Sequence, residues 1–124
     1  MRVGLTVLLV FVIILVVPVL VYGALSRISG LQPPGDDPSA FLAGVAVSKL
    51  GTAIAFVGLW FLARDSLAPQ WLPCVALWWV MFVLGEVGQA IGPGYSWSEA
   101  IAGIVSETIY LPLSGLVVLR MLPA

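Results

Sequence analysis

Lys49, Glu86 and Glu107 each interrupt a long apolar stretch, in a 124-residue chain that has only five basic and six acidic side chains. An ionisable group at membrane depth costs roughly 3 kcal/mol or more unless it is paired or wetted, so these three mark a candidate site. The other charged residues, Arg2, Arg27, Asp36, Asp37, Arg64, Asp65, Glu99 and Arg120, fall where apolar stretches end. One amine and two carboxyls do not cancel. Lys49 neutralises one glutamate, and the other must keep a proton, find a water path or meet a cation. A protonated carboxyl reachable from outside is a general acid or a proton carrier. Glu107 is the first choice for that role, since it lies deeper than Glu86 and is flanked by Ser106 and Tyr110.

The spacing around these residues follows helix periodicity. Glu99, Gly103, Glu107, Tyr110 and Ser114 recur every three or four positions and form one polar or small stripe in a segment otherwise rich in Ile, Val and Leu. Trp79, Phe82, Glu86 and Gln89 form a second stripe, with the carboxyl and the amide above an aromatic floor. At a rise of 1.5 Å per residue, Lys49 and Glu107 lie roughly 12 Å, and Glu86 about 8 Å, inward from the same ends of their helices. The expected site therefore has Glu107, Glu86 and Lys49 as catalytic groups. Gln89, Tyr110, Trp79, Phe82, Ser106 and Tyr22 are its ligand-binding residues, in a pocket open to the outside and closed inward. Pro112 and Pro18 each free a carbonyl one turn back, at Thr108 and Ile14, that would border it. Plainer roles stand beside these: Lys49 with Glu107 as a structural ion pair, Glu86 wetted near the interface, Glu99 as a helix cap, and Gln89 bonded to a neighbouring helix.

The elements that must position these groups are transmembrane helices. With 61% hydrophobic and 9% charged residues and a mean hydropathy of +1.15, the chain carries more apolar surface than a soluble domain of its size can bury. Four stretches reach the length of about 20 residues that spans a bilayer core: Val3 to Gly23, Phe41 to Ala63, Trp71 to Ile91 and Ala100 to Leu119. The first is longer than a secretory signal core of about 7 to 15 residues. It reads as a retained span, with cleavage after Ala24 as the alternative. The expected fold is all-α, an integral membrane up-down four-helix bundle forming a single domain over 1–124, with helices at about 3–25, 39–63, 70–92 and 98–121.

The connections carry their own signals. Pro33-Pro34-Gly35-Asp36-Asp37-Pro38 breaks the chain before helix two, with Asp37 as its cap. Residues Arg64 to Pro69 read as a second loop, and Pro69 and Pro73 suit the first turn of helix three. Ser96 and Glu99 have capping-box spacing at the start of helix four. Arg2, Arg64 and Arg120 share one side against Arg27 on the other, so the positive-inside rule predicts a bacterial cytoplasmic (inner) membrane protein with both termini cytoplasmic. Trp60 and Trp71 at the inner ends, and Tyr22, Tyr95 and Trp97 at the outer ends, fit aromatic belts.

Composition excludes several classes. The chain has one cysteine, Cys74, and no histidine, so disulfide redox chemistry, axial histidine haem ligation and the usual zinc and di-iron ligand sets are out. No cofactor or metal is expected, and no basic run points to nucleic acid. Membrane lipids and an apolar small molecule are the expected partners. Gly44, Ser48, Gly51, Ala55 and Gly58 form a small-residue seam about 140° from Lys49 around helix two. Either that seam packs inside the bundle while Lys49 faces another neighbour, or it receives a second copy or a partner subunit. Gly85, Gly88 and Gly92 raise the same question on helix three.

Gly85-Glu86, the turn at Gly92 to Gly94, Ser98 and Glu107, together with Lys49-Leu50-Gly51 and Gly58-Leu59, resemble a bacterial family of small four-helix membrane proteins of unknown function that are DoxX-like in architecture. The segments span roughly the last two-thirds of the chain. In that family an arginine usually follows the helix-three glycine; here the position is Glu86, which leaves Lys49 as the interior cation. The resemblance implies the fold and a membrane setting and no activity. The functional expectation is a pocket for a small apolar or lipid-like molecule, with proton-transfer chemistry of isomerase, epoxide-opening or cyclase type if the protein is an enzyme. The rivals are a non-catalytic accessory subunit of a larger membrane complex and an oligomeric proton-coupled transporter.

Overall fold

The computed structural model describes residues 2–29 and 38–123, and among them the chain is all-helical. Helix α1 covers Arg2–Ser29, α2 covers Pro38–Leu67, α3 covers Trp71–Ile91 and α4 covers Trp97–Met121. Helix α2 opens on a proline, whose missing N–H would have had no partner in a first turn. The cap expected from Asp37 lies outside the described residues. Ser96 accepts a hydrogen bond from the Glu99 amide while the Glu99 carboxylate accepts from the Ser96 amide, so the expected capping box starts α4. Between α3 and α4, Gly94 takes φ +85°, a conformation that suits a residue without Cβ.

The second connection differs from its sequence reading. Residues 64–67 remain helical and are followed by a 3₁₀ turn over Ala68–Gln70, so the region is not an open loop. Among the described residues, the stretches long and apolar enough to cross a membrane are Arg2–Leu25, Leu42–Ile91 and Trp97–Met121, the second of them including the kink at Ala63 and the 3₁₀ turn. The chain still doubles back within the long stretch. A straight helix would hold Phe56 and Trp78 roughly 33 Å apart, yet their rings meet at 5.3 Å between centroids. The bend falls where Ala63 (φ −121°, ψ 22°) and Gln70 (φ −122°, ψ 37°) leave helical geometry.

Helix α4 is the central element. Its buried residues run from Ala100 to Val118, whereas α3 buries only Val75 and Ala90. Against it, α1 runs antiparallel: Thr6 Oγ1 lies 3.8 Å from Met121 Sδ at one end, and the Tyr22 hydroxyl donates to the Glu99 carbonyl at 3.2 Å at the other. Helix α3 approaches α4 closely enough that a Cβ on Gly115 would stand 2.6 Å from Val75 Cγ2. The core joins Val10 and Ile14 of α1, Ala53, Phe56, Val57 and Trp60 of α2, Val75 of α3, and Leu111 and Val118 of α4. Trp60 is thus not an interfacial belt residue. It is 2% exposed and donates from Nε1 to the Leu122 carbonyl at 3.2 Å.

Candidate functional site

The stripe on α4 is the buried one: Gly103, Glu107, Tyr110 and Ser114 all face the interior, with Glu99 half-buried at its head. Lys49 projects from α2 toward the same stripe. Its Nζ donates to the Tyr110 hydroxyl at 3.4 Å and lies 5.1 Å from the centre of that ring, a cation–π arrangement. The hydrogen bond that Lys49 makes therefore goes to the phenol of Tyr110.

Glu86 enters from α3 through a notch that Gly103 creates. A Cβ at position 103 would stand 2.5 Å from Glu86 Cδ and 2.7 Å from Oε2, so only glycine leaves room for the carboxylate. One turn along α4 from Gly103, Glu107 faces the same interior. The Tyr95 hydroxyl donates to Glu86 Oε2 and also lies 3.4 Å from the Glu99 carbonyl, which the Tyr22 hydroxyl shares. Tyr95 stands in the turn outside the helices. Burial, and then its bond to Glu86, push its phenol well above the usual tyrosine range.

Two buried polar atoms on α4 have no hydrogen-bond partner, Glu107 Oε1 and Ser114 Oγ. Both residues are almost fully enclosed, at 4% and 1% exposed. A buried acceptor left unmatched costs about 1–3 kcal/mol, so Oε1 is where a donor from water or a ligand belongs.

The other expected site residues are placed as follows. Tyr22 joins the cluster at the start of α4 through Glu99. Ser106 is buried, but its hydroxyl donates back to the Ala102 carbonyl at 2.8 Å and is occupied within its own helix. Trp79 donates from Nε1 to Thr108 Oγ1 at 2.9 Å, and Phe82 packs edge-on against Trp78, so both brace the α3 face rather than form a floor under Glu86. Gln89 is exposed. The sequence reading did not include Tyr95 or Gly103 in the site; Gly103 had a signal, its place on the α4 stripe, whereas Tyr95 had none beyond its aromatic character.

A cavity of about 300 Å³ lies at the opposite end, between Arg2, Val3, Phe61, Arg64, Met121, Leu122 and Pro123. The small-residue seam of α2 is also resolved. Gly44, Ser48, Gly51 and Ala55 are exposed, and a Cβ on Gly44, Gly51 or Gly58 would meet nothing within 4 Å. Lys49 faces inward and the seam faces out. No known protein family, no curated protein and no solved structure matches the chain.

Proposed function

We propose that the chain is an up-down four-helix bundle of a bacterial cytoplasmic membrane that holds a small apolar or lipid-like molecule beside Glu107 and moves a proton to or from it. The observation that carries this reading is the unpartnered Oε1 of Glu107, enclosed within a cluster of Lys49, Glu86, Tyr95 and Tyr110 contributed by three helices and a turn. One ammonium beside two carboxyls leaves the cluster one negative charge in excess, which a proton or a cationic group of a ligand would balance. Such a pair suits isomerisation, epoxide opening or cyclisation: one carboxyl protonates the substrate, the other accepts a proton from it, and transfer between them restores the starting state. Membrane depth for the cluster is supported by the length and apolarity of the helices that carry it.

Mass spectrometry of small molecules co-purifying with the protein tests the reading directly. Wild type retains a compound that Glu107→Gln, which keeps the shape but cannot shuttle the proton or accept as a carboxylate, loses or holds in clearly lower yield. Identical compounds in identical yield from both proteins would remove the basis for the site. A second reading, an accessory subunit of a larger complex, is favoured by the open seam on α2. Extraction at native abundance separates the two, since a chain that emerges alone or only with its own copies is not an accessory subunit.

A further inference from the structure

We infer that the cavity at the arginine-bearing end is a binding site for the phosphodiester headgroup of an anionic phospholipid. Its polar part is formed by Arg2, from the first turn of α1, and Arg64, from the end of α2; its walls are Val3, Phe61, Met121, Leu122 and Pro123. At about 300 Å³ it is the size of a headgroup and not of an acyl chain.

Three helix ends are fastened around it. Thr6 Oγ1 contacts Met121 Sδ at 3.8 Å and joins the start of α1 to the end of α4. Trp60 Nε1 donates to the Leu122 carbonyl and joins the end of α2 to the same place. Both side chains are buried, Thr6 completely, so the helix ends that carry the cavity are packed together. Arg64 is held in position: its Nη1 donates to the Phe61 carbonyl at 2.9 Å and its guanidinium lies 4.7 Å from the centre of the Phe61 ring. That leaves the outer N–H groups of the fork for an anion, and a planar guanidinium matches phosphate oxygens. The amides of the first turn of α1 lie beside it and add the partial positive charge of a helix start. Basic pockets between helix ends on the cytoplasmic face are where anionic headgroups bind.

The composition of the walls selects the source of the phosphate. Five apolar residues surround two cations at the end of helices long enough to cross a bilayer, which fits a headgroup with glycerol and chain starts attached. A zwitterionic choline headgroup brings its own cation against two guanidiniums and is disfavoured. The inference needs the membrane setting but not the proton chemistry proposed above, so either can fail alone.

The test is native mass spectrometry of the detergent-solubilised full chain titrated with phosphatidylglycerol, phosphatidylcholine or inorganic phosphate. Wild type should retain phosphatidylglycerol in preference to phosphatidylcholine, with the preference falling about fivefold for each of Arg2→Gln and Arg64→Gln. Arg120→Gln removes an exposed arginine at the same end that does not line the cavity, and should leave the preference unchanged. An equal loss in Arg120→Gln would show diffuse charge attraction and overturn the inference. So would displacement of the lipid by millimolar inorganic phosphate, which would assign the cavity to a soluble anion, or equal retention of the two lipids by wild type.

Discussion

Gly103 acts through the side chain it lacks. Glu86 occupies the space a Cβ would need, so Gly103→Ala must push the carboxylate away from Glu107 or separate α3 from α4. Overpacking of this kind costs about 1–3 kcal/mol, and the variant should unfold at a lower temperature in detergent and lose whatever compound wild type retains. Gly85 is the matched control. A Cβ there meets nothing within 4 Å, so Gly85→Ala should gain up to about 1 kcal/mol of helix propensity and unfold no earlier than wild type. If both alanines behave alike, the notch is not occupied as described. Tyr95 offers a second residue-scale test. Its folded-state proton is held more tightly than in an unfolded chain, so its contribution is complete below about pH 10 and is lost as pH rises beyond that. Thermal unfolding followed at about pH 8 and about pH 11 should show a smaller alkaline loss for Tyr95→Phe than for wild type.

At the scale of elements, α4 depends on how it begins. The reciprocal bonds between Ser96 and Glu99 satisfy amide groups that the first turn leaves open, and they also set the position of the Glu99 carbonyl that Tyr22 and Tyr95 share. Ser96→Ala should cost about 1 kcal/mol, measured as a lower unfolding midpoint. Glu99→Gln should cost less, because glutamine still reaches the Ser96 amide. A Ser96→Ala midpoint equal to wild type would mean that packing alone starts the helix. This cap was legible in the sequence because it is a contact between residues three apart. The α4 stripe was legible for a similar reason: helical period alone puts Glu107, Tyr110 and Ser114 on one face, and that face is the buried one. What sequence could not supply was how the ends of elements turn. Helix two does break at Ala63, where its sequence reading ends, but residues 64–67, which look like a loop because Arg64 and Asp65 are charged and a proline follows, take up helical geometry again beyond the break. Tyr95 meets Glu86 only because the turn after α3 folds back along it, and Trp60 is internal only because the end of α4 closes over it. No spacing rule encodes either contact.

At the scale of the molecule, charge is distributed by end. Polar side chains of α2, α3 and α4 converge toward one end of the molecule, while Arg2 and Arg64 line the cavity at the opposite end and Arg120 lies in the last turn of α4. On the proposed orientation that arginine end faces the cytoplasm, since inserting the chain the other way would carry three arginines across and retain one, Arg27. Substituted-cysteine labelling checks it. With Cys74 replaced by alanine, Ser66→Cys lies exposed near the arginine end and Ser98→Cys lies exposed at the start of α4, so the two report opposite sides. A membrane-impermeant maleimide applied to spheroplasts should label the Ser98→Cys protein at once and the Ser66→Cys protein only after permeabilisation. The reverse pattern would place the Glu86 and Glu107 pair on the cytoplasmic side, where the proton it handles would come from the cell interior. Labelling of both without permeabilisation would show that the doubled-back stretch from Leu42 to Ile91 does not carry the chain across twice.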